Sequence, residues 1–138
     1  MKKIMMVIVA LMLMTIMSFS QSRISTSYDE IVKEFDLSNK YVTQSKTDDG
    51  QLYIHVVFNN YDVIHYFNND SIVTTTDIYY KDVSSLNKKI ETLNETYVCE
   101  AKNSENHSLR WADYSFGYIV TIQFIPTEDF QIIRYSVD

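Results

Sequence analysis

The period of the hydrophobic positions along this chain switches from helical to strand-like, and it does so twice. Tyr28, Ile31, Val32 and Phe35 recur at helical spacing, with Asp29, Glu30, Lys33 and Glu34 between them. That pattern predicts a short amphipathic helix over residues 28–36 that buries one stripe. Ser27 and Glu30 have the spacing of a capping box, in which each side chain serves the other's backbone amide. A strand follows over 41–46, then a turn at Asp48-Asp49-Gly50, where glycine supplies the positive φ. Leu52, Ile54, Val56 and Phe58 then alternate with Tyr53, His55 and Val57. Strict alternation is the signature of a strand with one buried face.

Asn59-Asn60 is a suitable two-residue hairpin loop, because Asn tolerates left-handed φ. This loop sets the register: Phe58 faces Tyr61, Val56 faces Val63, Ile54 faces His65 and Leu52 faces Phe67. The other face then brings Tyr53 beside Tyr66 and His55 beside Ile64, and the two histidines fall on opposite faces. A loop one residue longer would place His55 opposite His65, but no third metal ligand stands nearby. Asn68-Asn69-Asp70 is the next turn. Residues 72–80 form another strand, whose Thr74-Thr75-Thr76 run reads as ordinary strand composition.

The pattern then repeats. Ser84 or Ser85 can cap a helix with Leu86, Ile90 and Leu93 on one stripe. Tyr97-Val98-Cys99-Glu100-Ala101-Lys102 matches Tyr41-Val42-Thr43-Gln44-Ser45-Lys46 position by position, with Tyr, Val and Lys identical. An offset of about 57 residues carries Leu52 onto Leu109, Tyr61 onto Tyr118, Val63 onto Val120 and Phe67 onto Phe124. Asn59-Asn60 falls on Phe116-Gly117, also a plausible turn. Trp111 falls on Ile54, a core position, and Arg110 on Tyr53, an open position. A turn at residues 126–129 and a strand over 130–137 complete the second copy. The expected fold is therefore α+β: an antiparallel sheet with two short helices on one face, built from pseudo-duplicated α-ββββ units at about 25–81 and 82–138.

The first twenty residues stand apart. All 6 Met fall between Met1 and Met17, whereas the 11 Tyr and the single Trp all come later. Lys2-Lys3 precedes the uncharged, mostly apolar run 4–17, which is shorter than the roughly twenty residues of a spanning helix. Ser18-Phe19-Ser20 supplies small residues before a cut. This is the pattern of a secretory signal peptide over residues 1–20, cleaved after Ser20 or, through Ser20-Gln21-Ser22, after Ser22. The single domain 21–138 is then expected to be periplasmic or secreted, with no membrane attachment after cleavage. No Cys near the cut supports a lipid anchor.

The charge balance limits the partners. The chain has 12 Lys and Arg against 18 Asp and Glu; without Lys2 and Lys3 the count is 10 against 18, or −8. Such an acidic chain, with no basic cluster, repels phosphate backbones, so no nucleic-acid partner is expected. One cysteine, Cys99, allows no internal disulfide, and its readings are a buried inert thiol, an intermolecular disulfide or a catalytic thiol. Asp48-Asp49-Gly50 lacks the alternating oxygen ligands of a calcium loop. No metal site or cofactor is expected. Asn69-Asp70-Ser71, Asn94-Glu95-Thr96 and Asn106-His107-Ser108 have the form of glycosylation sequons, relevant only in a eukaryotic secretory route.

The tandem helix-plus-four-strand arrangement resembles the secreted β-lactamase inhibitor protein family and PepSY-like periplasmic domains. The resemblance covers 21–138 in pattern; the paired cysteines of the inhibitor are absent here. It implies a fold and a style of binding through a sheet face. If both helices cover one face, the other carries Tyr53, His55, Ile64 and Tyr66 from the first unit, and Arg110, Tyr114, Thr121 and Gln123 from the second. Tyr and Arg are enriched at binding hot spots because they bring area and a polar handle at small entropic cost. The candidate binding residues are Tyr53, His55, Tyr66, Arg110, Tyr114 and Gln123, and the expected partner is a protein or peptide. Cross-strand tyrosine pairs that merely stabilise an exposed sheet are the structural alternative. The expected function is a non-enzymatic exported binding or inhibitor-like module; the alternatives are a structural or self-associating envelope protein and a small enzyme. His55 or His65 with Asp62 or Asp113 is the only acid–base set the sequence offers an enzyme.

Overall fold

The computed structural model describes residues 23–115 and 117–137. The expected leader, its cleavage point and Phe116 of the expected second hairpin turn lie outside the described residues. Helix α1 (Tyr28–Glu34) precedes strands β1 (Val42–Lys46), β2 (Leu52–Val57), β3 (Tyr61–Phe67) and β4 (Val73–Tyr80). Helix α2 (Val83–Thr96) then precedes β5 (Cys99–Asn103), β6 (Ser108–Asp113), β7 (Val120–Pro126) and β8 (Gln131–Ser136). The chain is thus a helix followed by four strands, twice.

All eight strands join one antiparallel sheet in the order β1-β2-β3-β4-β8-β7-β6-β5. Within each unit every strand pairs with its neighbour in sequence. The units meet where the last strand of one, β4, lies against the last strand of the other, β8. Helix α2 carries the chain from the centre of the sheet to its far edge. Its 14 residues span about 21 Å, and four strand spacings amount to about 19 Å.

The hairpin registers follow from the alternation. Val56 faces Val63, Ile54 faces His65, Tyr53 faces Tyr66 and His55 faces Ile64, as the Asn59-Asn60 loop requires. In the second unit Leu109 faces Phe124, Arg110 faces Gln123 and Trp111 faces Ile122. The two matched motifs occupy equivalent edge positions: Ser45 faces Tyr53 and Lys46 faces Leu52 in one unit, while Ala101 faces Arg110 and Lys102 faces Leu109 in the other. Gly50, at φ 89°, closes the first hairpin as expected.

Both helices pack on the same face. Ile31 of α1 and Leu86 and Leu93 of α2 enter one core with Ile54, Val63, Trp111, Ile122 and Ile133 of the sheet. Tyr28 of α1 meets Phe67 edge-on, with ring centroids 5.5 Å apart. At the other end Trp111, fully buried, donates its indole N–H to Asn94 Oδ1 of α2 at 3.0 Å. That bond commits the amide of the sequon Asn94-Glu95-Thr96. Cys99 is a free, half-buried thiol packed against the core, with Sγ 3.6 Å from the carbonyl oxygen of Ala101.

The capping box of α1 is present, with the Ser27 side chain accepting from the Glu30 amide and the Glu30 side chain reaching back. The cap of α2 differs from the sequence expectation. It is Asp82, not Ser84 or Ser85, and its Oδ1 accepts the Ser85 amide at 2.8 Å. The Asp82 carbonyl already accepts from Leu86, so both serines lie inside the first turn. A carboxylate caps as well as a hydroxyl and adds its charge to the positive helix end.

His65 is a titratable side chain inside the core. It is fully buried, and its Nδ1 lies 2.9 Å from the Thr76 hydroxyl. Its ring stacks on Phe35 at 6.2 Å, and Nε2 has no hydrogen-bond partner among the described residues. Burial, helped by the charge of Arg23, lowers its pKa from 6.5 to about 4. The folded protein therefore holds the ring neutral where the unfolded chain takes up a proton. Stability should be flat above pH 6.5 and fall by roughly 3 kcal/mol by pH 4. Urea unfolding of the wild type and His65→Leu across that range tests this. The variant should lose most of the slope between pH 6.5 and 4.5, and equal slopes in both proteins would refute the assignment.

Candidate functional site

The face of the sheet opposite the helices carries three rows of side chains, each running across the strands. The middle row reads Thr43, His55, Ile64, Asp77, Arg134, Gln123, Arg110, Ala101, because each residue faces the next across one strand pair. The adjacent row reads Ser45, Tyr53, Tyr66, Thr75, Ser136, Thr121, Ala112. Of the six candidate residues, five fall on these two rows: Tyr53, His55, Tyr66, Arg110 and Gln123. Tyr114 follows the end of β6 and is 62% exposed.

The candidates form two clusters rather than one. In the first, the rings of Tyr53 and Tyr66 lie 5.9 Å apart. His55 Nε2 sits 3.1 Å from Asp62 Oδ2. The other oxygen of Asp62 is held by Lys81 Nζ at 2.6 Å, and Lys81 also donates to the Phe58 carbonyl at 2.9 Å. In the second, Glu100 is the hub. The Tyr114 hydroxyl donates to Glu100 Oε1 at 2.6 Å, and Arg110 Nη2 lies 4.0 Å from Glu100 Oε2. The bond to Glu100 raises the Tyr114 pKa, so this hydroxyl stays a donor. Arg110 and Gln123 also line an open depression of about 610 Å³ with Ala101 and Ser108. His55 and Arg110 are five strand spacings apart, or about 24 Å. A small ligand cannot touch both clusters, whereas a protein surface or extended peptide can.

Between the clusters lies an interaction that sequence reading missed. Arg134 Nε donates to Asp77 Oδ1 and Nη2 to Oδ2, both at 2.7 Å. Asp77 is fully buried, while the Arg134 side chain is 41% exposed. Tyr66 and Tyr79 lie on the same face as the pair, close enough to feel its charges and each other. Burial raises both phenol pKa values, with the Asp77 carboxylate adding to the effect. The bidentate bond to Asp77 raises the pKa of Arg134. Tyr66 is thus partly a structural residue that shields an ion pair. The signal available in the sequence was Asp77 at an outward position of a strand otherwise composed of Thr, Val, Ile and Tyr, and a matching Arg134 in β8.

The acid–base set proposed from sequence is divided by the sheet. His55 and Asp62 meet on the open face, but Lys81 shares the carboxylate. His65 is on the opposite face, and Asp113 bonds instead to Ser115, through its amide at 2.9 Å and its hydroxyl at 2.6 Å. Among the described residues no group of three His, Cys, Asp or Glu side chains is placed to hold a metal ion.

Removing Arg134 strands a buried carboxylate. Arg134→Met should cost about 3 kcal/mol, the lower end for a buried pair because the guanidinium is partly in water. The double variant Asp77→Leu with Arg134→Met should recover most of that loss. Chemical denaturation of the two proteins measures both; a single variant within 1 kcal/mol of wild type (about one tenth of a typical domain's stability) would sink the argument.

No protein-family model, curated protein or solved structure matches this chain.

Proposed function

We propose that this protein is exported and works as a non-enzymatic binding or inhibitor-like module, gripping a protein or extended peptide with the open face of its sheet. The observation that carries this reading is the pair of polar–aromatic clusters, about 24 Å apart, on a face that no described element covers. A surface of that span matches the roughly 800 Å² per partner of a standard protein interface. The side chains suit the role. Tyr53 and Tyr114 offer rigid area with a hydroxyl, Arg110 offers a guanidinium held only loosely by Glu100, and Gln123 offers both a donor and an acceptor. The Asp77–Arg134 pair holds the face between them in place, which limits the ordering cost of binding.

Two experiments test this reading. Export predicts that the protein recovered from its native host begins at Gln21 or Arg23, which mass spectrometry of the intact chain decides; an uncut Met1 would remove the exported setting. Binding predicts that the recovered protein captures a partner from the same envelope and medium. A triple variant, Tyr53→Ala with Arg110→Ala and Tyr114→Ala, should weaken that capture at least thirty-fold, as roughly 2 kcal/mol at one hot spot implies. These three sites avoid the Asp77–Arg134 pair, so the variant should still fold cooperatively, which its unfolding transition checks. Equal capture by the folded variant would overturn the assignment of the face.

A further inference from the structure

The sheet has two outer strands, β1 and β5, and they are treated differently. Strand β5 is guarded. Its pairing with β6 shifts between Cys99 and Ala101, and the extra residue, Glu100, is tied to Tyr114 and Arg110. A bulge and charged side chains are the usual means of keeping an edge from pairing further. Strand β1 has neither a bulge nor a proline. It pairs with β2 in unbroken register from Val42–Val56 to Lys46–Leu52. Thr43, Gln44, Ser45 and Lys46 are all exposed, and its single charge, Lys46, lies at its end.

The hydrogen bonds show which backbone groups face outward. The Tyr41 carbonyl accepts from Val57, and the Thr47 amide donates to Gln51, both at 2.9 Å. In an antiparallel ladder alternate residues point the same way, so Tyr41, Thr43, Ser45 and Thr47 face β2. Val42, Gln44 and Lys46 face away from the sheet. The Val42 amide is already used, donating to the Asn39 carbonyl at 3.0 Å. The Val42 carbonyl and both backbone groups of Gln44 and Lys46 are left directed at solvent.

We propose that β1 is a self-pairing edge, on which a second copy of this chain adds its own β1 antiparallel about a two-fold axis at Gln44. That register gives four backbone bonds. The two Gln44 residues exchange amide and carbonyl, and each Lys46 amide meets the Val42 carbonyl of the other copy. The side chains agree with it. Thr43 falls opposite Ser45 on the open face, a hydroxyl pair that is favourable across strands. Lys46 falls opposite Val42, so its aliphatic stem covers an apolar neighbour and no like charges meet. The junction has a precedent inside the chain, where β4 and β8 join the two units antiparallel with their faces matched. An isologous contact of this kind closes as a dimer, and it leaves both helix layers on one side and one continuous open face on the other. It extends the binding reading, because each copy would then present its Tyr53 and His55 cluster near the dimer axis.

The test is sedimentation equilibrium of the protein as recovered after export, over a hundred-fold range of concentration, together with amide exchange. The mass should rise toward twice that of the monomer, and the Gln44 and Lys46 amides should exchange more slowly as it does. Gln44→Pro deletes an outward N–H that the fold does not use, a place where an edge strand tolerates proline. Gln44→Lys sets two like charges opposite each other on the axis. Both should stay monomeric. Tyr28→Phe removes the 2.5 Å bond from the Tyr28 hydroxyl to Gln44 Oε1 and should still dimerise, which separates the edge from the side-chain contact. If Gln44→Pro fails to fold, Gln44→Lys decides. A wild type that remains monomeric, or a dimer indifferent to Gln44→Lys, would overturn the proposal.

Discussion

The seam between β4 and β8 is the constraint on which the rest of the molecule depends. Each unit alone is one helix over four strands, with two sheet edges of its own. Joining β4 to β8 satisfies one edge from each unit along six residue pairs, from Thr75–Ser136 to Tyr80–Gln131. At its centre the Asp77 carboxylate and the Arg134 guanidinium meet on the open face. A slip of one residue would turn every side chain of β8 to the wrong face. A slip of two would leave a buried carboxylate facing Ile132 or Ser136. The pair therefore fixes the register of two units that are far apart in sequence. A pair of apolar residues at the same place would stabilise the seam as well but would specify it less.

The two faces of the sheet use burial in different ways. On the helix face, Trp111, Ile54, Ile78 and Ile133 are covered by the helices, and polar groups there must find partners within the core. Trp111 has Asn94; His65 has Thr76 for one nitrogen, and burial, with the charge of Arg23, keeps its ring neutral. On the open face, side chains cover one another. Tyr66 and Tyr79 lie over Asp77, and Lys81 and His55 divide Asp62 between them. Water reaches most of these groups only in part, so the face is ordered without being sealed. That is the condition in which a partner can gain contact area without first paying to order the surface.

The face and the edge are also linked. β1 contributes Thr43 and Ser45 to the same rows that carry His55 and Tyr53. Any strand added at β1 prolongs those rows. The bulge that guards β5 has the opposite effect, since it holds Glu100 where Tyr114 and Arg110 converge. One end of the open face is thus closed around a carboxylate, and the other ends in unpaired backbone.

The sequence by itself determined whatever depends on near neighbours. The period-2 runs at 52–58 and 61–67, with Asn59-Asn60 between them, sufficed to place Tyr53 against Tyr66, because the face and register of a hairpin depend only on alternation and loop length. The capping box of Ser27 and Glu30 and the repeat of the two Tyr-Val motifs were legible for the same reason. Even so, the cap of α2 was misplaced by two or three residues, since Asp82, Ser84 and Ser85 have nearly equal capping strength and only the first hydrogen bond of the helix separates them. Tertiary structure decided the rest. It placed β4 against β8, paired Asp77 with Arg134 across 57 residues, drew Tyr66 and Tyr79 around them, and divided the six candidate residues between two distant clusters. These outcomes turn on which strand edges meet, and edge pairing uses backbone groups that are the same in every residue. The local pattern says which way a side chain faces; only the assembled sheet says what stands beside it.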